Sequence, residues 1–369
     1  MPVVVLFIIF ILLLVIAVPV SITLGITSVL PSVCDPSFTV GAKYLIRAMF
    51  GGLDSFPLLA VPMFVLSGII MAKGGISKKL FDVFAYFLGK FTAGMPCAVI
   101  VTCLFYGAIS GSAPATVAAV GSMTIPILSN LGYDLTFSTA IVAVAGGLGV
   151  IIPPSIPFIM YGMASGASVS DLFLAGIIPG LMIGILLMIY AIYHCRRYGE
   201  DKAKIHAEVQ ELHNKGLLKV LRESFFAILS PVIILGCIYS GVASPTEAAV
   251  ISVFYALIIS LFVYRSIHIR DIWGILVEAI RTFTPILFIL AASTAFSRVL
   301  TLMQVPQTVS EFILNNFHSP VAILLIINLF LLIVGMVMDT TPAILILTPI
   351  LLPIVQAIGM DPIQFGVIM

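Results

Sequence analysis

Leu104-Phe-Tyr-Gly-Ala-Ile-Ser-Gly-Ser-Ala-Pro-Ala-Thr-Val-Ala-Ala-Val-Gly-Ser-Met-Thr-Ile-Pro126 is the stretch whose reading decides the fold. It is apolar enough for a bilayer, yet Ser110-Gly-Ser-Ala-Pro114 interrupts it with residues that unwind a helix and offer oxygen ligands. The apolar runs on either side are roughly 15 residues long, short of the about 20 that a full span needs. Two short runs around a small polar break predict a re-entrant helical hairpin with its tip at mid-membrane. Non-helical backbone at that depth is tolerated only where protein buries it or where it lines a cavity. A second stretch, Gly335-Met-Val-Met-Asp-Thr-Thr-Pro-Ala-Ile-Leu-Ile-Leu-Thr-Pro349, repeats the design. Paired interrupted segments in corresponding halves point to the binding site of a secondary transporter.

The rest of the chain fits that setting. Hydrophobic residues make up 61% and charged residues 9%, with a mean hydropathy of +1.24, against about 25% charged residues in soluble domains. This is the composition of an all-α polytopic membrane protein. The formal net charge of +1 gives no basis for a nucleic-acid partner. Five scattered cysteines show no metal-ligand spacing and read as small apolar fillers. The run from Val3 to Leu30 is too long for a signal-peptide core and lacks a basic start, so it reads as a first spanning helix interrupted near Pro19.

Further spans are expected over 55–71, 135–162, 172–193, 224–240, 246–263 and 275–302. The one over 135–162 is broken at Gly146-Gly-Leu-Gly149 and at Pro153-Pro-Ser-Ile-Pro157. Residues 31–54 form a connector with an in-plane segment carrying Lys43 and Arg47. Lys73–Lys90 reads as an amphipathic helix at the membrane interface. Residues 305–316 are expected at the surface. The basic loop 196–223 is cytoplasmic by the positive-inside rule and otherwise reads as a solvated linker.

The two halves repeat. Pro57 matches Pro285 and Pro114 matches Pro342, both at an offset of 228 (285 − 57, 342 − 114). Pro126 matches Pro353 and Asp134 matches Asp361, both at 227 (353 − 126, 361 − 134). This gives a first repeat over 1–195, with its hairpin at 94–129 and its broken helix at 135–162. The linker 196–223 follows, and then a second repeat over 224–369 with its hairpin at 320–355. Counting spans outward from the basic loop puts the bases of the hairpins on opposite sides, so the repeats are expected to be inverted. No partner of Pro153-Pro-Ser155 follows Asp361. The repeat therefore predicts about two further helices beyond Met369, making the second half C-terminally incomplete.

The breaks are where the chemistry is expected. Half-helices offer free N–H groups to anions and free C=O groups to cations, and Na⁺ favours oxygen ligands. Ser110, Gly111 and Ser112, with the carbonyls of Gly147, Gly149 and Val150, make one candidate Na⁺ site. Asp339, Thr340 and Thr341 make a second. A carboxylate among apolar residues at membrane depth marks an ion or substrate path by default, and Asp339 fits that description. Ser112, Ser155, Thr341 and Arg298 are candidate substrate contacts. Arg298 either neutralises a substrate carboxylate or snorkels to the interface. The bland alternative for the Gly and Ser residues is close helix packing. Glu247, Asp134 and Asp361 sit where helices begin and read first as caps.

Ile109-Ser-Gly-Ser-Ala-Pro114, Ile152-Pro-Pro-Ser-Ile-Pro157, Ser244-Pro-Thr-Glu-Ala-Ala249 and Met338-Asp-Thr-Thr-Pro342 resemble the large membrane (M) subunit of tripartite ATP-independent periplasmic (TRAP) transporters. The resemblance covers essentially the whole chain. It implies an elevator-type, Na⁺-driven importer of an organic acid such as a C4-dicarboxylate or sialic acid, in a bacterial inner membrane. It also implies two partners, a small four-helix membrane (Q) subunit and a soluble periplasmic substrate-binding (P) protein. No nucleotide-binding P-loop is present, so direct ATP coupling is disfavoured. Three rivals are a stand-alone Na⁺/carboxylate symporter, a non-transporting structural subunit, against which the paired polar breaks argue, and, more remotely, an intramembrane aspartyl protease using Asp134 and Asp339. Apart from the last, the chain reads as a non-enzyme.

Overall fold

A computed structural model describes residues 3–34, 38, 41–317 and 319–369. Among these residues every regular element is helical. Among the described residues, seven helices are long and apolar enough to cross a membrane, or eight if the broken pair Leu135–Ile151 and Ile156–Ser165 is one span. The chain divides into two compact units. One comprises Met1–Leu59, Pro157–Leu172 and Arg281–Met369, and the other Ala60–Ile156 and Phe173–Ile280.

The second of these units is built around Gly94–Ser110, the first arm of the first hairpin. Fifteen of its seventeen residues are buried, which explains why it is apolar on all sides. Ala60–Lys73, Ile76–Leu88, Ala113–Asn130 and Leu135–Gly146 pack around it. Helices in lipid gain no hydrophobic drive towards each other, so close packing of small residues must hold them. Here it does. A Cβ on Gly107 would lie 2.5 Å from Gly149 Cα, and one on Gly68 would lie 3.2 Å from Ser110 Cα. The buried Tyr106 hydroxyl donates to the Gly68 carbonyl at 3.1 Å, so the one large polar group in this contact is satisfied.

Ile76–Leu88 is amphipathic as expected, but for a different reason. Its apolar face, including Ile76, Leu80 and Phe81, is buried in the protein core. The linker is also more than a solvated tether. Lys202–Asn214 is a helix whose Ile205, Val209 and Leu212 are buried and which packs on Ile76–Leu88. Just before it, the Glu200 carboxylate accepts the Ala93 N–H through both oxygens, at 3.0 and 3.1 Å. It also accepts the Tyr133 hydroxyl at 2.5 Å. Burial and that bond to Glu200 push the Tyr133 hydroxyl well above its usual range, so it remains a donor.

In the other unit, the expected first span is two helices, Val3–Val15 and Val20–Cys34, divided next to Pro19. Ala42–Leu53 carries Lys43 and Arg47; residues 35–37, 39 and 40 of the expected connector lie outside the described residues. Val305–Asn316, expected at the surface, packs on Thr340–Ala357. The arms of the second hairpin, Pro320–Val337 and Thr340–Ala357, have 18 residues each and are individually long and apolar enough to cross a membrane. The expectation that both hairpins have arms too short to span therefore does not hold here. The reason is that the helix continues through Val334–Val337 almost to the break.

The repeat offset extends to the helix starts. Ala113 and Thr340 begin the second arms, 227 residues apart (340 − 113). Leu135 and Pro362 begin the helices that follow, again 227 apart (362 − 135).

Candidate functional site

The first hairpin breaks at Gly111 and Ser112, between Gly94–Ser110 and Ala113–Asn130. Gly111 ends the first arm with φ +61°, a left-handed conformation that a Cβ disfavours. A Cβ there would also lie 2.8 Å from the Pro154 carbonyl oxygen. The Gly111 carbonyl accepts the Ile156 N–H at 3.2 Å. The tip is thus stitched directly to the break in the following helix, which covers Ile152–Ser155.

Buried hydroxyls gather at this junction. Ser110 is 1% exposed, and its Oγ lies 2.9 Å from Thr116 Oγ1. Thr116 Oγ1 donates to the Ser112 carbonyl at 2.9 Å. A Cβ on Gly149 would lie 2.5 Å from Thr116 Oγ1 and 3.2 Å from Ser112 O, so Gly149 brings the broken helix against the same oxygens. Ser110, Gly111, Ser112 and Gly149 therefore come together as the sequence predicts. Close packing at glycine and a cluster of side-chain and backbone oxygens coexist here.

Gly147 and Val150 are placed differently within the break. The Gly147 carbonyl accepts the Val150 N–H at 3.2 Å. The Val150 carbonyl accepts the hydroxyl of Ser155, a fully buried residue. Each carbonyl thus already accepts one hydrogen bond. Ser155 is thereby tied to the backbone of the break, and its hydroxyl proton is already committed. Thr116 is a residue that sequence reasoning missed. Its signal was the Ser112/Thr116 spacing of four, which stacks the two residues on one helix face.

The other unit holds the second set. Asp339 is the residue before Thr340–Ala357 and has extended backbone, but its side chain makes no capping hydrogen bond. Asp339 and Thr340 are exposed, whereas Thr341 is buried. Asp339 is thus a carboxylate at a helix break, as expected, with its side chain at the surface of the described fold rather than inside it.

Arg298 lies on Ile272–Leu302 and lines a cavity of about 420 Å³ together with Ser293, Thr294, Ser297 and Thr301. Positions 293, 297 and 301 recur every four residues and make a hydroxyl stripe beside the guanidinium. That volume lies within the usual range of small-molecule sites, about 300–1,000 Å³. An arginine among hydroxyls in a cavity is suited to bidentate recognition of a carboxylate.

The remaining acidic candidates are caps. Ser244 and Glu247 form a capping box, with the Ser244 N–H donating to Glu247 Oε2 at 2.8 Å. Asp134 accepts the Phe137 N–H at 3.0 Å and Asp361 accepts the Ile363 N–H at 2.7 Å.

Multiple apolar spans, paired helix breaks and buried oxygens gathered at one of them define a polytopic membrane protein of the transporter class. Residues 7–369 match the family described as the tripartite ATP-independent periplasmic transporter, DctM component, and the chain belongs to that family. It is 42% identical over 368 residues to the isethionate TRAP transporter permease protein DctMQ of Oleidesulfovibrio alaskensis, covering 100% of this chain and 57% of that one. It is 39% identical over 321 residues to the C4-dicarboxylate TRAP transporter large permease protein DctM of Pseudomonas aeruginosa, covering 87% of this chain and 74% of that one. It is 34% identical over 329 residues to the sialic acid TRAP transporter large permease protein SiaM of Vibrio cholerae, covering 89% and 76%. The chain thus spans little more than half of the first of these relatives and about three quarters of the other two.

Proposed function

We propose that this chain forms the large permease of a TRAP transporter and imports an organic acid driven by Na⁺. The observation that carries the ion site is the cluster of Ser110 Oγ, Thr116 Oγ1 and Ser112 O, held against Gly149 at a helix break. These are neutral oxygens in a buried setting, the ligand type that a hard monovalent cation uses. Asp339, Thr340 and Thr341 supply a second set of oxygens at the corresponding break, and a carboxylate there favours a cation. The Arg298 cavity supports an anionic substrate. The names of the relatives point to a sulfonate or carboxylate: isethionate, C4-dicarboxylate and sialic acid.

On this reading the two hairpins are re-entrant and the repeats inverted; the shared offsets of the helix starts support the duplication itself. The hairpins and broken helices move as an elevator in a bacterial inner membrane. A small four-helix membrane subunit and a soluble periplasmic binding protein complete the transporter. The test is uptake of labelled C4-dicarboxylate, sialic acid and isethionate into proteoliposomes holding the permease and its small subunit. Each is measured with and without an inward Na⁺ gradient and the cognate binding protein. Uptake of one such acid is expected to require both. Uptake with Na⁺ but without the binding protein would establish a stand-alone symporter instead. Uptake indifferent to Na⁺ would overturn the coupling.

A further inference from the structure

The linker helix Lys202–Asn214 and the turn Gly89–Thr92 enclose a pocket of about 560 Å³, whose lining includes no residue of the first hairpin's break. The linker helix sorts its charges around it. Lys202, His206, Gln210 and His213 line the pocket, whereas its acids Glu208 and Glu211 do not. These pocket-facing positions follow helical spacing and so share one face. Lys90 stands on the opposite wall. Glu200 also lines the pocket, but its carboxylate is engaged by the Ala93 N–H and the Tyr133 hydroxyl. His213 is fixed in place: its ring stacks on Tyr86 at 4.1 Å, and its Nδ1 lies 2.7 Å from the Val209 carbonyl oxygen.

The position of the pocket identifies its occupant. Phe91, at the rim beside Lys90, is 69% exposed. It lies three residues before Gly94, where the apolar first arm of the hairpin begins. A polar helix packed at the foot of an apolar one, with an exposed aromatic between them, marks the depth of lipid headgroups. We propose that the pocket binds a phosphate group, carried by an anionic phospholipid whose acyl chains pass over Phe91. The lysines supply point charges suited to phosphate, and basic pockets beside membrane helices hold lipid headgroups in this way. An occupant would bridge the linker helix and the turn that leads into the first hairpin.

The test is native mass spectrometry of the purified protein titrated with phosphatidylglycerol and with phosphatidylcholine, alongside thermal-shift titration with inorganic phosphate. The variants are Lys90→Gln/Lys202→Gln and, as control, Lys204→Gln. Lys204 lies on the same helix, pairs with Asp201 at 3.5 Å and does not line the pocket. Phosphatidylglycerol is expected to bind more tightly than phosphatidylcholine. The double variant should lose affinity for it by roughly 25-fold, about fivefold per lysine, with thermal unfolding unchanged and the control like wild type. The same loss for inorganic phosphate without lipid binding would support the pocket with a soluble phosphate as its source. Equal binding of the two lipids without phosphate binding, or the same loss in the control, would overturn the proposal.

Discussion

Ser110 Oγ and Thr116 Oγ1 lie 2.9 Å apart across the break of the first hairpin. Thr116 also donates to the Ser112 carbonyl, so one hydroxyl orders both oxygens proposed to meet the ion. Thr116→Val keeps the side-chain shape and removes that hydroxyl. A hydrogen bond of this kind is worth about 1 kcal/mol net. Thr116→Val is therefore expected to raise the Na⁺ concentration for half-maximal uptake roughly fivefold or more, whereas Thr116→Ser stays near wild type. A Na⁺ titration of uptake checks this, and an unchanged midpoint in Thr116→Val would remove Thr116 from the site.

Gly107 and Gly149 touch backbone to backbone. A Cβ on Gly107 would meet Gly149 Cα at 2.5 Å and Gly149 N at 3.0 Å, and backbone atoms cannot turn aside as a side-chain end can. Overpacking of this kind costs about 1–3 kcal/mol. Gly107→Ala is expected to lower the thermal unfolding midpoint by several degrees. Gly25→Ala, whose Cβ would meet nothing within 4 Å, is expected not to lower it. Equal midpoints for the two variants would contradict the close approach.

Arg298 either binds substrate or reaches the interface, and the two roles separate kinetically. Hydrogen bonds to charged groups contribute about 1.5–3 kcal/mol. Loss of a carboxylate contact in Arg298→Gln should raise KM for an acidic substrate roughly 10- to 100-fold, with the Na⁺ midpoint little changed. Concentration series in proteoliposomes measure both. An unaltered KM would assign Arg298 to the interface.

Ser244 and Glu247 cap the helix Pro245–Ile258. Ser244→Ala removes the cap and is expected to lower stability by about 0.5–2 kcal/mol, by analogy with other N-caps. The Na⁺ midpoint should stay at the wild-type value. A shifted midpoint would place Glu247 on the ion path rather than at a helix end.

What the sequence disclosed was local chemistry. Ser110-Gly-Ser-Ala-Pro114 announces a helix break because glycine permits φ > 0 and proline starts the next helix well. Asp134 and Asp361 announce helix starts for similarly local reasons. Contacts distant in sequence were not legible. Glu200 follows two arginines in a polar loop and looks solvated, yet it binds Ala93 and Tyr133, 107 and 67 residues away. Thr116 looks like filler in an apolar helix until Gly149 is brought against it. The amphipathic pattern of Ile76–Leu88 was visible, but a pattern cannot say whether its apolar face meets lipid or protein.

Binding of Na⁺ at the break of the first hairpin can be measured directly, without substrate or partners. Isothermal titration of the purified permease with NaCl, against KCl at equal ionic strength, would be run on wild type and on Ser110→Ala. Saturable, Na⁺-selective heat is expected in wild type, with an affinity weakened about tenfold in Ser110→Ala from loss of a ligand oxygen worth on the order of 1–1.5 kcal/mol. Wild-type affinity in Ser110→Ala, or identical heats with Na⁺ and K⁺, would contradict it.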